Sequence, residues 1–446
     1  MREAAASARA FASELARMER EIGGLGPLWL RRLQTRAFER FLSLGFPAPR
    51  DEEWRQTSVA PIASTPYARV QGAVSLDRRD LESVPFADLG SPRLVFVDGR
   101  FAPALSRLDA LAPGVSAGSL REAFESRPRE IQPHLGVHAA WEHRAFAALN
   151  TALFTDGALV VVPSGCDVAE PLHILHVGSS AEAPVVSSPR TLVLVGEHAR
   201  VAIAETYVAP QGPSYFTNAV SEIVVGENSE VAHWRVQCDG DQAHHVGGVH
   251  VHQARSSRFL SLNASLGALL TRNDVSAVLE GEGAECTLDG LYVAGDRQHV
   301  DNHTTIDHAL PHSVSHELYK GILAGSARAV FNGRIIVRKG SQKTDAKQSN
   351  RNLLLSGDAV IHTRPQLEIH ADDVKCTHGA TIGHLDEDAL FYLRSRGIGL
   401  AEARGVLIHA FAAGALSRLS LRSLRERVEA EAAARVDRAT SLGDGS

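Results

Sequence analysis

Cys376 and His378 are the residues best placed by type and spacing to do chemistry. They stand two apart in the string Asp372-Asp373-Val374-Lys375-Cys376-Thr377-His378-Gly379-Ala380-Thr381. On an extended strand, residues i and i+2 share one face, roughly 7 Å apart. A thiolate beside an imidazole suits iron, zinc or a cluster better than magnesium or calcium. Two ligands do not close a site, so the other donors must come from elsewhere or from a second chain. Taken alone, such a Cys-x-His pair is more often structural than metal-binding. Lys375, next to the thiol, is expected to lower its pKa and favour sulfur chemistry. Asp372 and Asp373 fit a turn or a cap equally well.

Other candidates carry less. His308, His312 and His316 are four apart, but Pro311 interrupts the helix that would align them. His244, His245, His250 and His252 read as solvated polarity or incidental metal binding. Gly340-Ser341-Gln342-Lys343-Thr344 lacks the glycine before the lysine and the spacing of a phosphate loop, so ATP hydrolysis by this chain is not expected. Nor is there a G-x-S-x-G nucleophile elbow. Cys166, Cys238 and Cys286 read as buried small apolar groups. The four cysteines form no C-x-x-C pair and no disulfide framework, which points to a reducing compartment.

The elements that must position the Cys376–His378 pair show a change of period. Residues 1–45 read as two helical segments, one with Phe11, Leu15 and Met18 on a face, the other with Leu30, Leu33, Ala37 and Phe41. Gly23, Gly24, Gly26 and Pro27 separate them, and Pro47 and Pro49 end the second. Arg50 to Arg55 is a charged turn that docks Trp54 on the core. Leu94 to Gly99 is a strand and turn, and 141–153 a helix with Phe146, Leu149 and Leu153 on one face. From about Ala158 the period becomes 2, with runs at Leu159–Val162, Leu172–Val177, Thr191–Val195, Val201–Ala204, Ile223–Val225 and Val231–Val236. The turn Gly196-Glu197-His198-Ala199 is echoed 30 residues later by Gly226-Glu227-Asn228-Ser229, with looser echoes at Gly281, Gly325 and Gly357. A weak repeat of this length with no intervening helix predicts a parallel β-helix, each coil stacking its apolar residues on the next. A β-sandwich is the alternative. At Asp386, a predicted N-cap, helical period returns, with helices around Leu390–Leu393, Leu400–Leu416 and Leu421–Val428 and a frayed end over the last ten residues. These helices either cover an open solenoid end or offer a surface to a partner. The expected division is a mixed helical domain over 1–154, the solenoid over 155–385 and a helical domain over 386–446.

Bulk composition narrows the function. With net charge −6 and no basic stripe, nucleic acid is not an expected partner. No apolar run reaches the ~18 residues of a membrane span, and the acidic residues among the N-terminal arginines argue against a leader. A cytoplasmic location is the expectation.

At this point the motifs resemble a known family. Tyr319-Lys320-Gly321-Ile322-Leu323, Val330-Phe331-Asn332-Gly333, Gln342-Lys343-Thr344-Asp345-Ala346 and Asn350 to Ser356 resemble the SufB/SufD family of iron–sulfur cluster assembly proteins. So do Pro365-Gln366-Leu367-Glu368-Ile369 through Gly383, Leu390-Phe391-Tyr392-Leu393 and Ser395-Arg396-Gly397. The Asp-Asp-Val-Lys-Cys-x-His-Gly-Ala-Thr string is the form of the SufD branch, with Thr377 where serine is commoner; Arg50 to Trp54 and Leu149-Asn150 are similar too. The similarity is dense over 301–416 and patchy before it. It implies a right-handed parallel β-helix between helical terminal domains. It implies a non-catalytic scaffold that pairs with SufB, engages the ABC-type ATPase SufC through its C-terminal helices and aids iron acquisition. The cluster would be transient, at the SufB interface, with His378 the ligand from this chain and Cys376 beside it in a less certain role. No tightly bound cofactor is expected in the isolated chain, for which a homodimer is a further possibility.

Two rivals differ in class. A β-helix polysaccharide lyase or hydrolase needs clustered carboxylates with Arg or Lys in an open groove, and the coils show no regular acidic cluster. A metal-storage or structural homodimer would use the histidines as ligands and need no ATPase.

Overall fold

The computed structural model describes residues 16–18, 20, 26–70, 76–178, 184–209 and 214–441. Its body is a β-solenoid of about 7 turns, with helices at both ends of the chain. Each coil contributes two strands, one to an 11-stranded sheet and one to a 10-stranded sheet, called here sheets 1 and 2. Every strand-to-strand step between coils is parallel. Among the described residues no helix interrupts 158–383. The solenoid is therefore flattened into two facing layers, which is how an alternating pattern fits both a sandwich and a β-helix; parallel pairing decides for the β-helix.

The turn echo is the coil repeat. Arg200 pairs with Glu230, Glu230 with Arg258, Arg258 with Glu285, Glu285 with Val314, Val314 with Asp345, and Asp345 with Lys375. Along this edge each tight turn puts one residue in the left-handed region: His198, Asn228, Ser256, Gly283, His312 and Lys343. Each donates its backbone N–H to a carbonyl on the following coil, as in His198 N to Glu227 O at 2.8 Å and His312 N to Gln342 O at 2.9 Å. Only one of these six is glycine, so interstrand bonding rather than residue type holds the conformation, and the sequence echo is weak. The faint phosphate loop is one of these turns: Lys343 is ion-paired to Asp373 and no helix follows.

Both outer faces are roofed. The helices Leu28–Leu44 and Ala145–Leu153 pack on sheet 1, burying Phe38, Phe41, Phe146 and Leu149 against Phe216, Val246 and Leu270. Trp54 does dock there, its ring 5.3 Å from Phe146 and under the Arg272 guanidinium at 4.2 Å. Two N-terminal strands complete the sheets. Arg93–Val97 pairs with Leu172–Val177, and Ser116–Ser119 with Ala158–Val162. The helical reading of Phe11 and Leu15 lies outside the described residues.

The C-terminal helices Glu387–Ser395, Leu400–Leu416 and Arg422–Ser441 arise as read, with Asp386 capping the first through Asp388 N at 2.9 Å and Ala389 N at 3.1 Å. The last helix runs to Ser441, and the remaining residues of the stretch expected to fray lie outside the described residues. The tail does not cover the solenoid end. It folds back along the outer face of sheet 2, where Ile408, Ala412, Leu416, Leu424 and Val428 meet Leu291, Val293 and Ile322.

The interior departs most from a plain aliphatic core. One edge of the lumen is hydrocarbon, from Val160 through Ile203, Val231, Val275 and Ile306 to Phe331. Along the other runs a buried polar seam. Glu205 accepts from Thr191 at 2.7 Å, Tyr207 at 2.9 Å and Ser221, and pairs with His233 at 2.9 Å. Burial would raise this carboxyl, but hydrogen bonds and charge from His176 and His233 hold it well below the usual range. Farther along, Arg235 donates to His245 at 2.8 Å, whose other nitrogen bonds Asp239 at 2.8 Å. Asn273 then donates to Asn302 at 2.9 Å. The reading of the His244–His252 cluster as solvated is thus corrected: His244, His245 and His250 are buried.

Lumen glycines make room for this seam. A Cβ on Gly321 would run into the buried ring of Tyr292. Gly321→Ala is therefore expected to cost about 1–3 kcal/mol from overpacking, read as a lower urea midpoint at unchanged m-value.

Candidate functional site

The final strand, Lys375–Gly383, carries both residues of the Cys-x-His pair. Cys376 is in register with Ala346, and His378 with Gln348. Ala346 and Gln348 are buried, facing the lumen, so the pair points the same way. Their surroundings differ. Cys376 is half-buried and closes the apolar group formed by Ile335, Val337, Ala346, Leu367 and Ala371. His378 is exposed.

Exposure follows from position in the stack. Among the described residues no strand lies beyond Val360–Ile369 in sheet 1 or Lys375–Gly383 in sheet 2, so both present a free edge. Lumen-facing side chains that an interior coil would cover are bare here: Ile369 is 41% and Ile382 50% exposed. An unpaired parallel edge with bared apolar groups is a template for association. His378 sits on that edge.

The thiol is not activated. Lys375 is exposed and points away from the lumen, as does its register partner Asp345. Burial pushes the Cys376 thiol up, and the Asp345 carboxylate adds to that, against a smaller opposing hydrogen bond from the Ala346 backbone. The expectation that Lys375 lowers this pKa is overturned: the shift at Cys376 is upward, toward the thiol. Asp345→Asn should accordingly speed alkylation of Cys376 severalfold at pH 8, measured site by site by mass spectrometry; an unchanged rate would exclude Asp345 as the cause. Cys238 and Cys286 are buried, the first pushed up to about 12 by desolvation. Cys166 is only half-buried.

Among the described residues no three His, Cys, Asp or Glu side chains come together as a metal site. The described residues thus offer no complete donor set around His378. His308, His312 and His316 fall on a strand end, a turn and the next strand, and His308 is sealed in by Ser313 at 2.7 Å and Ser315 at 2.9 Å.

The motif residues upstream surround this end of the lumen. In Tyr319-Lys320-Gly321, Tyr319 is buried inside, Lys320 faces out, and Gly321 gives space to Tyr292. Lys320 Nζ donates to Phe411 O at 2.8 Å and lies 4.9 Å from the Phe411 ring, pinning the helix Leu400–Leu416 to sheet 2. Nearby, Arg418 donates to both carboxylate oxygens of Asp289, at 2.9 and 3.0 Å. Asn350 and Asn352 bond each other at 2.7 Å and reach Tyr292. Sequence reading did not find this polar plug. Its only sign was strands such as Asp345–Leu354 that lack alternating apolar residues.

A family model described as the SUF system FeS cluster assembly SufBD core domain matches residues 176–411, and one for the SufBD protein N-terminal region matches 20–174. The chain belongs to the SufBD family. An iron–sulfur cluster assembly SufBD family protein of Synechocystis is 37% identical over 394 residues, 86% of each chain. The iron–sulfur cluster assembly protein SufD of Escherichia coli is 31% identical over 392 residues, 87% of this chain and 89% of that one. SufD of Bacillus subtilis is 27% identical over 421 residues, 90% and 93% respectively. Both SufBD domains thus match in order, the second running from the end of the strand Leu172–Val177 into the helix Leu400–Leu416. Among the described residues no helix is long and apolar enough to cross a membrane.

Proposed function

We propose that this SufBD protein is the SufD-type scaffold subunit of a cluster assembly complex, cytoplasmic and without catalytic chemistry of its own. Its open solenoid end pairs with a SufB-like chain, and iron and sulfide are brought together at that seam as cargo. His378 is the donor this chain supplies; Cys376, protonated and half-buried, seals the core behind it and is the weaker candidate ligand. The observation that carries the reading is the placement of His378 on the free edge of the last coil, exposed, with bared Ile369 and Ile382 beside it. Energy comes from a separate SufC-like ATPase held by the segment 386–446, where Phe391 (75% exposed) and Tyr392 (57%) stand out from the helix Glu387–Ser395. We divide the chain functionally at 154 and 385, into an anchoring domain, a rigid rod and an ATPase-binding tail.

Co-expression tests this. The chain should co-purify with a SufB-like and a SufC-like protein, and removal of 386–446 should release the ATPase while the rod keeps its scaffold partner. A chain that purifies alone from such cells, with no ATPase or sister scaffold retained, would refute the reading.

A further inference from the structure

Behind His378 the lumen holds a short ladder whose last acceptor is free. Glu317, Gln348 and His378 occupy the same register position on three successive strands of sheet 2. Glu317 and Gln348 are buried, 4% and 3% exposed. Gln348 Nε2 donates to Glu317 Oε2 at 2.6 Å, which fixes the amide's orientation. That leaves Gln348 Oε1 buried without a partner. Across the lumen, a Cβ on Gly333 would lie 2.9 Å from Gln348 Cδ and closer still to Nε2, so the amide fits only against a glycine. Same-facing side chains on adjacent strands are about 4.8 Å apart, within reach of an amide and an imidazole. Leaving a buried acceptor unmet costs about 1–3 kcal/mol, so there is a driving force to find it a donor.

We infer that Gln348, held by Glu317 and given space by Gly333, is a positioning residue for His378: its Oε1 accepts the hydrogen bond of one ring N–H. The imidazole is thereby locked in one tautomer, with the lone pair of its other nitrogen directed to the open solenoid end. A ligand histidine needs such an acceptor to fix its ring and raise its basicity, and an amide oxygen does so without adding charge. This rests on the reading of His378 as the iron donor. It assigns work to three residues, Gly333, Gln348 and Glu317, that touch no cargo.

The test uses Gln348→Leu, which keeps the bulk and removes the acceptor, and Gly333→Ala, which displaces the amide and leaves every polar group in place. The tautomer of His378 is read from its ring nitrogen shifts in the isolated chain, at a pH where the ring is neutral. Iron and sulfide are measured in the anaerobically purified complex with the sister scaffold and ATPase. Wild type should show one dominant tautomer; both variants should show a mixture and hold about tenfold less cluster iron, with complex assembly intact. If Gln348→Leu fails to fold, Gly333→Ala decides. An unchanged tautomer, or unchanged iron, in a folded variant overturns the inference. Its failure is distinct from that of the iron-donor reading, which falls if His378→Ala also keeps its clusters.

Discussion

Replacing Glu222 with leucine is expected to cost about 3–5 kcal/mol, a large part of the chain's stability. Glu222 and Arg190 are both fully buried and ion-paired on the outer face of sheet 1. The same carboxylate accepts the backbone N–H groups of Gly136 at 2.9 Å, His138 at 2.9 Å and Ala139 at 3.2 Å. Arg190 also donates to Asn150 at 3.0 Å and Thr151 at 3.1 Å. One pair therefore ties the loop 136–139 and the helix Ala145–Leu153 to the early coils. Leucine would strand a buried guanidinium and three amide donors. The double variant Arg190→Leu/Glu222→Leu should recover part of the loss, because no unpaired charge remains. Urea unfolding measures both. A single variant within 1 kcal/mol of wild type would show that hydrophobic packing alone holds the N-terminal roof.

Acid should unfold the protein steeply between about pH 6.5 and 4. Desolvation lowers His173 to about 3, His244 to about 4, His250 to about 3 and His308 to about 4. Below the ordinary value of 6.5 the unfolded chain binds four protons that the folded chain refuses. Their stabilising contribution is complete above pH 6.5 and is lost as pH falls toward these folded values. Two groups act the other way. Burial pushes Glu317 up to about 7 and Asp289 up to about 6, so each favours the folded state below its ordinary value and loses that contribution as pH rises through its folded value. Near pH 5 the unfolded state is ahead by about two protons, so stability falls by roughly 3 kcal/mol per pH unit. Below pH 4 the carboxylates with lowered values, Asp274 at about 2 and Asp239 among them, add to the loss. Urea midpoints across this range check the slope. A midpoint constant from pH 7 to pH 5 would mean that water reaches these histidines.

The sequence made the solenoid legible where its coils are aliphatic. Leu172–Val177, Val201–Ala204 and Val231–Val236 are readable because their apolar residues join either the hydrocarbon edge of the lumen or the apolar outer face of sheet 2. The pattern faded where the seam takes over. Asp345–Leu354 puts Gln348, Asn350 and Asn352 inside, and residues that satisfy one another across coils leave no one-dimensional signature. For the same reason the buried histidines of His244–Gln253 read as surface. Helix boundaries were readable from local chemistry, as with Asp386 at its cap. Where the tail packs was not, since it depends on Lys320 meeting Phe411 and Arg418 meeting Asp289 across long sequence distances. The pair Cys376 and His378 was visible from spacing. Their different surroundings, the thiol half-buried and the imidazole exposed, follow from the end of the stack and were not visible there.

The claim on which everything turns is that an exposed imidazole on the last coil takes part in holding the cargo. Iron and acid-labile sulfide per complex, measured on anaerobically purified assemblies carrying His378→Ala, test it directly. Because the ring is exposed, the variant should fold, assemble and keep the ATPase activity of its partner, yet hold a tenth or less of the wild-type cluster. A fully assembled variant with wild-type iron and sulfide would contradict the account.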